Sequence, residues 1–354
     1  MFMRARAIGF SVAGALAMGL LTASRVTPPL AAAVSPCEID GVNRIVAIGD
    51  VHGAYDRFVE ILGRAGLIDA RLRWTGGKTH LVQLGDVVDR GPDSLKVLDL
   101  LRRLEKDASR AGGAVHALLG NHEVMRMTGD MRYVHPGEYG AFKSSESEEI
   151  RQDMIRRAAP NLRDDLLRQT PLGYFEMRLA FGRQGIYGQW LRQHDVMIRI
   201  NGLVFVHAGI PPALAGLTCD VVNTTIRREI TADLEKTLAD PLANLSGRED
   251  GHLWNRELPE EFESFAPQVN EILAAQNARA IVIAHTVTPD GRIRVRFGGK
   301  VLQIDTGMQP AYVEGGRASA LEIQNGVLTA IYSDRRDILE AQATAAAPSA
   351  GSRR

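Results

Sequence analysis

Short apolar runs that each end in a polar cluster set the rhythm of this chain. Ile45–Ile48 precedes Gly49-Asp50-Val51-His52-Gly53, and Leu81–Leu84 precedes Gly85-Asp86-Val87-Val88-Asp89-Arg90-Gly91. Val115–Leu119 precedes Gly120-Asn121-His122-Glu123, Leu203–Val206 precedes His207-Ala208-Gly209, and Ile281–Ala284 precedes His285-Thr286. A brief β-branched or Leu-rich run bounded by Gly reads as a buried strand. Helical spacing intervenes: Phe58, Ile61 and Leu62 predict a helix over Tyr55–Ala65, and Leu95, Leu98, Leu101 and Leu104 another over Pro92–Lys106. From Cys37 to Val124 the pattern is strand, loop, helix, repeated, which predicts an α/β chain.

Between Met125 and Gln193 this alternation stops. The stretch is polar and helix-prone over Ser144–Arg157 and Leu162–Arg168 and carries no strand with a terminal motif. It is too long for a plain loop, so a helical insertion beside the mouth of the site is expected over residues 125–193. Arg178–Phe181 and Gly185–Trp190 lead back toward the core. Thereafter a helix is predicted at Thr224–Ala239 and one within Pro259–Ala278, then strands at Val295–Ile304 and Ala320–Tyr332. Asn325-Gly326 breaks the last strand as a hairpin turn. One domain over residues 37–335 accounts for all of this.

Composition adds bounds. The 354 residues carry a formal net charge of +0, so no basic excess marks a nucleic-acid surface. Hydrophobic residues at 45% and charged residues at 24% suit a soluble globular protein. Arg4 and Arg6, the apolar Ile8–Ala23 and the small-residue stretch to Ala33 have the order of a secretory signal peptide, residues 1–33. Export to the periplasm or beyond is therefore expected, with membrane contact only through that segment. An uncleaved membrane anchor is the alternative. Cys37 and Cys219 are the two cysteines; in an exported chain they could pair, though two inert thiols is the simpler expectation. The Ala/Ser/Gly-rich residues 341–354 predict a disordered tail.

Ligands and catalytic groups collect at the carboxyl ends of strands, where loops turn side chains toward one crevice. Five such clusters argue for a dinuclear metal centre. Asp50 and His52, two apart, project to the same side of an extended chain, and a carboxylate with an imidazole suits Mn, Fe or Zn. Asp86 is the natural bridging carboxylate, Asn121 adds a neutral oxygen, and His207 and His285 add nitrogens. One ion would take Asp50, His52 and Asp86, the other Asp86, Asn121, His207 and His285. Two ions ~3.5–4 Å apart can hold a bridging hydroxide and clamp a phosphoryl group for in-line displacement. His122 is the candidate general acid, with Asp89 to orient it. Arg90 and Arg256 are the candidate forks for phosphate oxygens. Glu123 is read as loop support, His116 as a core residue, and His80, His135 and His194 as surface or loop residues. Cysteine-based phosphatase chemistry is set aside, since it needs an Arg six residues after the Cys, and those positions hold Asn43 and Thr225.

Taken in order, Gly-Asp-x-His-Gly, Gly-Asp-x-x-Asp-Arg-Gly, Gly-Asn-His-Glu, His-Ala-Gly and a late His-Thr resemble the phosphoprotein phosphatase (PPP) superfamily of metallophosphatases over Arg44 to Gly307. Asn121-His122-Glu123-Val124-Met125 with Gly129-Asp130 and Tyr133 resembles its Shewanella-like (bacterial-type) branch. Leu253-Trp254-Asn255-Arg256 and Ile304-Asp305-Thr306-Gly307-Met308 point the same way. Asn255 stands where that branch implies an aromatic residue, and His252 where it implies a Pro. The resemblance implies a metallophosphoesterase-type central β-sandwich flanked by helices and hydrolysis of phosphomonoesters, often phosphotyrosine. Phosphorylated proteins, peptides or small molecules are the implied substrates. Two alternatives remain: a dinucleoside polyphosphate hydrolase, which uses the same motif skeleton, and a non-catalytic metal- or phosphate-binding module.

Overall fold

Among the residues described by the computed structural model, 37–232 and 244–339, the strands form two six-stranded sheets. The signal segment, the tail and the end of the helix expected at Thr224–Ala239 lie outside the described residues. In the second sheet the order is β1-β5-β6-β7-β9-β8, with β1 (Glu38–Ile39), β5 (Met197–Ile200), β6 (Leu203–Val206), β7 (Ala280–Ile283), β8 (Arg294–Arg296) and β9 (Val301–Gln303). In the first the order is β12-β11-β10-β2-β3-β4, with β2 (Arg44–Ile48), β3 (His80–Gln83), β4 (Ala114–Ala117), β10 (Ser319–Gln324), β11 (Val327–Tyr332) and β12 (Arg336–Leu339). β2, β3 and β4 run parallel, and so do β6, β7 and β9. All five motif-bearing strands thus lie in parallel sets, three in one sheet and two in the other.

Burial explains the composition of these strands. Ile45, Val46, Ala47 and Ile48 are all buried, as are Ile281, Val282 and Ile283, because each sheet is covered on both faces. On the first sheet lie α1 (Tyr55–Arg64), seated by Phe58, Ile61 and Leu62, and α2 (Ser94–Arg110), seated by Val97, Leu98, Leu101 and Leu104. Apolar side chains from both sheets and these helices form one continuous core.

From Asn121 to Leu191 the chain makes helices and no strand: α3 (Asn121–Thr128), α4 (Pro136–Ala141), α5 (Ser147–Arg157), α6 (Arg163–Gln169), α7 (Tyr174–Phe181) and α8 (Ile186–Leu191). α7 is the hub, touching α3, α5 and α8 and burying Met177 and Phe181. Beyond β6, α9 (Cys219–Thr231) packs on β5, and α10 (Ala266–Ala275) precedes β7.

Three expectations need revision. Val295–Ile304 is not one strand: Phe297, Gly298 and Gly299 all have positive φ (52°, 64° and 92°), and this turn folds β8 back antiparallel on β9. Cys37 and Cys219 are joined in a disulfide with Cα atoms 6.1 Å apart, not left as thiols. The reason is topological, since β1 pairs with β5 and α9 packs on that same strand, which brings the two cysteines together. Finally, His80 is not a surface residue but a half-buried member of β3, its Nδ1 3.0 Å from His116 Nε2 on β4.

Candidate active site

The carboxyl ends of the two parallel strand sets meet at one point, and the loops there are held in costly conformations. His52, Asp86, Asp89, Arg90 and His285 all have φ between 47° and 73°, a region that costs a non-glycine residue about 1–3 kcal/mol and persists only when its surroundings impose it. Glu123 holds the part at Asp86. Its buried carboxylate accepts the backbone N–H groups of Gly120, Asp86, Val87 and Val88 at 2.8–3.3 Å, tying the β3 loop to the start of α3. Close approach adds to this around Asp86: a Cβ on Gly85 would fall 2.3 Å from Gly120 N, and one on Gly120 2.2 Å from Asp86 Oδ1.

Asp50, His52, Asp86, Asn121, His207 and His285 are all brought together here and all are buried. His207 Nε2 lies 2.9 Å from Asn121 Oδ1, 3.2 Å from His285 Nδ1 and 3.4 Å from Asp86 Oδ2. His207 Nδ1–H donates to the Leu84 carbonyl at 2.7 Å, which directs Nε2 at the centre. His52 is oriented in the same way: Nδ1–H donates to the Val88 carbonyl at 2.9 Å, and Nε2 stands 3.7 Å from both Asp50 Oδ2 and Asp86 Oδ2. Asp50 Oδ1 accepts the backbone N–H of His285 at 3.1 Å, which links the two sheets.

These residues fit two divalent cations. Asp86, His207 and His285 offer ligand atoms within 4.8 Å of one another, and so do His52, Asp86 and His122, so Asp86 is common to both groups. His285 Nε2 is buried with no partner. Burial, then the neighbouring Asp305 and Asp86, pushes the Asp50 carboxyl well above the usual range, the mark of acids crowded without enough positive charge. Burial works against the Asp86 charge too, but His207, His122 and His52 hold its carboxyl well below the usual range. Burial pushes His52 down to about 4, and burial with His207 takes His285 well below its ordinary value. Burial works to lower His207 as well, but Asp86 holds it above its ordinary value, so a divalent transition metal taking this set of carboxylates and imidazoles would displace a proton.

Beside this centre His122 Nδ1–H donates to Asp89 Oδ2 at 2.7 Å, and its Nε2 lies 3.3 Å from Arg90 Nη2. Burial alone would lower the His122 pKa, yet Asp86 and Asp89 hold it above its ordinary value. Arg90 stacks over the Tyr312 ring at 3.7 Å and the Tyr133 ring at 4.9 Å, and its backbone N–H donates to the Tyr133 carbonyl at 2.8 Å.

Residues 43–289 match the calcineurin-like phosphoesterase family. The chain is a calcineurin-like phosphoesterase. It is 32% identical to an uncharacterised protein of Schizosaccharomyces pombe over 81% of this chain and 80% of that one. It is 29% identical to Shewanella-like protein phosphatase 2 of Arabidopsis thaliana over 77% of this chain and 73% of that one. Among solved structures, the cold-active protein-tyrosine phosphatase of a psychrophilic Shewanella species superposes with a TM-score of 0.69 at 30% identity, covering 87% of this chain and 83% of that one. The phosphoesterase is thus a PPP-type, metal-dependent phosphoester hydrolase that uses two divalent metal ions.

Arg256 of this phosphoesterase stands apart from the other candidates. It is exposed and hydrogen-bonded through Nη1 to Thr286 Oγ1 at 2.9 Å, one residue beyond His285. Two residues gain a place in the site only from the structure. Asp305, buried just after β9, lies beside Asp50, and burial raises its pKa to about 6. A carboxylate directly after a strand is the same signal that marks Asp50 and Asp86. Tyr312 has no such signal, since only the fold places it over Arg90.

Proposed function

We propose that the phosphoesterase is a phosphomonoesterase acting on phosphotyrosine or phosphoserine/threonine in proteins or peptides. The observation that carries this reading is the convergence of Arg90 and His122 on one point beside the ligand cluster, 3.3 Å apart. Asp50, His52 and Asp86 would hold one cation, and Asp86, Asn121, His207 and His285 the other. When bound, the two ions supply charge neutralisation at the phosphoryl group and a strong nucleophile at neutral pH. The chain's own groups do the rest. Arg90, stiffened between two tyrosine rings, binds phosphate oxygens with its guanidinium. Asp89 accepts from Nδ1–H and, with Asp86, favours the imidazolium form of His122, whose Nε2–H is the proton given to the leaving oxygen. Arg256 serves as a second, looser phosphate contact at the exposed rim.

Similarity over 73% and 83% of the lengths of the Arabidopsis and Shewanella protein phosphatases supports a phosphoprotein or phosphopeptide substrate. Manganese is one metal this nitrogen and oxygen set accepts, alongside iron and zinc. Export to the periplasm is supported by the order of residues in the N-terminal segment and by the Cys37–Cys219 disulfide, a bond favoured in oxidising compartments. The deciding experiment is metal analysis of the purified protein followed by kcat/KM on an aryl phosphate, phosphopeptides and diadenosine tetraphosphate. The phosphomonoesters are expected to be preferred. A specificity constant dominated by the tetraphosphate would overturn the reading, and turnover of none of them would indicate a binding module. Fractionation of cells tests export, with a cytosolic full-length chain as the contrary result.

A further inference from the structure

Arg126, four residues after His122 on the same face of α3, is wholly buried, and its partners make a closed ring. Its Nη2 donates to Asp89 Oδ1, so the two oxygens of Asp89 are taken by Arg126 and His122. Its Nη1 donates to Glu138 Oε2 at 3.0 Å. Glu138 Oε1 accepts from Ser94 Oγ at 2.8 Å, and Ser94 Oγ accepts the backbone N–H of Asp89 at 3.2 Å. Asp89, Arg126, Glu138 and Ser94 therefore close on one another, and all four are buried. Met177 and Phe181 of α7 complete the enclosure, with Sδ 3.3 Å from Arg126 Nη1 and the ring 5.0 Å from the guanidinium carbon.

The origin of these groups matters. Asp89 belongs to the β3 loop and Ser94 to the start of α2, but Glu138, Met177 and Phe181 come from the helices between β4 and β5. Asp89 needs such support, because it sits at φ 73°. A carboxylate held on one oxygen could swing about its terminal bond, and His122 would then lose its fixed direction. With Arg126 on the other oxygen and Ser94 on the backbone, that rotation breaks buried charge-assisted hydrogen bonds.

We propose that Arg126 and Glu138 are positioning residues for the proton donor: the ring locks Asp89 so that His122 Nε2 stays aimed at the leaving oxygen, and the helical segment acts on catalysis by supplying Glu138. This rests on the reading of His122 as the acid. It predicts a loss that depends on how much the leaving group needs a proton, which a purely structural ion pair would not produce.

The test compares phenyl phosphate, whose leaving group must be protonated, with 2,4-dinitrophenyl phosphate, whose leaving group departs as an anion. Arg126→Gln is expected to lose ~100-fold in kcat on phenyl phosphate and ~5-fold or less on the dinitrophenyl ester, with little change in KM. The isosteric Glu138→Gln, which keeps the packing, is expected to lose ~10-fold and ~2-fold respectively. Circular dichroism identifies the folded variants, and Glu138→Gln decides alone if Arg126→Gln does not fold. Equal losses on the two esters, or none, would overturn the proposal. Failure of the unmodified chain to hydrolyse either ester is a different result, which sinks the reading of the site and this inference with it.

Discussion

The two sheets contribute to the site in different ways. The loops after β2, β3 and β4 bring Asp50, His52, Asp86, Asn121, His122 and Arg90, and most of these side chains are fixed from several directions. His52, Asp86, Asp89 and Arg90 hold left-handed backbones, Glu123 gathers four N–H groups, and Arg90 lies against two tyrosine rings. The second sheet brings His207 and His285, which are as buried as the first set, and then Arg256, which is exposed and tied through Nη1 to a single threonine hydroxyl. The proposed metal ligands are thus buried on both sides, whereas of the groups proposed to meet the phosphate only the first sheet's is held from several directions. Chemistry that tolerates little displacement belongs on the first wall, and the second is free to differ with the substrate.

The sharpest way to break that contrast is to remove the group given the most exacting task. His122→Asn is expected to lower kcat by ~10²–10⁴-fold while leaving the metal content unchanged. Turnover at the unmodified rate, in a variant shown to hold its metals, would mean that the first wall carries no acid. Next is a matched pair on the two walls. Arg90→Met should cost ~10²–10³-fold in kcat/KM, as for a pre-positioned charge stabiliser, and Arg256→Met under ~10-fold, as for a mobile exposed one. Equal losses would abolish the distinction between the walls.

A smaller effect is expected from Glu123→Gln. An amide in place of the carboxylate turns an –NH2 toward at least one of four backbone donors, so the β3 loop should loosen. Metal affinity should fall ~10–100-fold, the usual consequence of disturbing what orients the ligands, and titration with Mn or Zn measures it. An unchanged affinity would show that the left-handed loop holds without Glu123.

Much of this site is legible in the sequence, for a physical reason. Strand-end candidates leave a local signature, a short apolar run and then a polar residue, near glycine in all but the last case, so Asp50, Asp86, Asn121, His207 and His285 can be read one motif at a time. Side chains whose role depends on distant partners leave none. Arg126 reads as an ordinary charge on a short helix until α4 and α7 enclose it, and Tyr312 lies 222 residues after the Arg90 it stacks on. β1 is only two residues long and β5 carries an arginine amid its apolar residues, so neither announces the edge pairing that joins Cys37 to Cys219.

The first sheet also contains a contrast within itself, between its carboxyl end and its body. Away from the metals, His80 and His116 sit side by side on β3 and β4, with Glu105 of α2 nearby. Burial, then the adjacent His80, pushes His116 down to about 4 from its ordinary 6.5. The unfolded chain therefore takes up a proton below pH ~6.5 that the folded chain refuses until about pH 4. Stability contributed by the neutral ring is complete above the unfolded pKa and drains away as the pH falls through that window. Glu105 opposes the effect without cancelling it. His116→Gln keeps a hydrogen-bonding partner for His80 but cannot titrate. Its unfolding temperature, compared with that of the unmodified chain, should gain steadily from pH 7 to pH 4 and change no further below. The comparison at each pH removes the separate loss of metal in acid, because both chains suffer it alike. A difference that stays constant across the range would mean that His116 adds nothing to acid sensitivity, leaving it to His80 and the ligand-bearing strand ends.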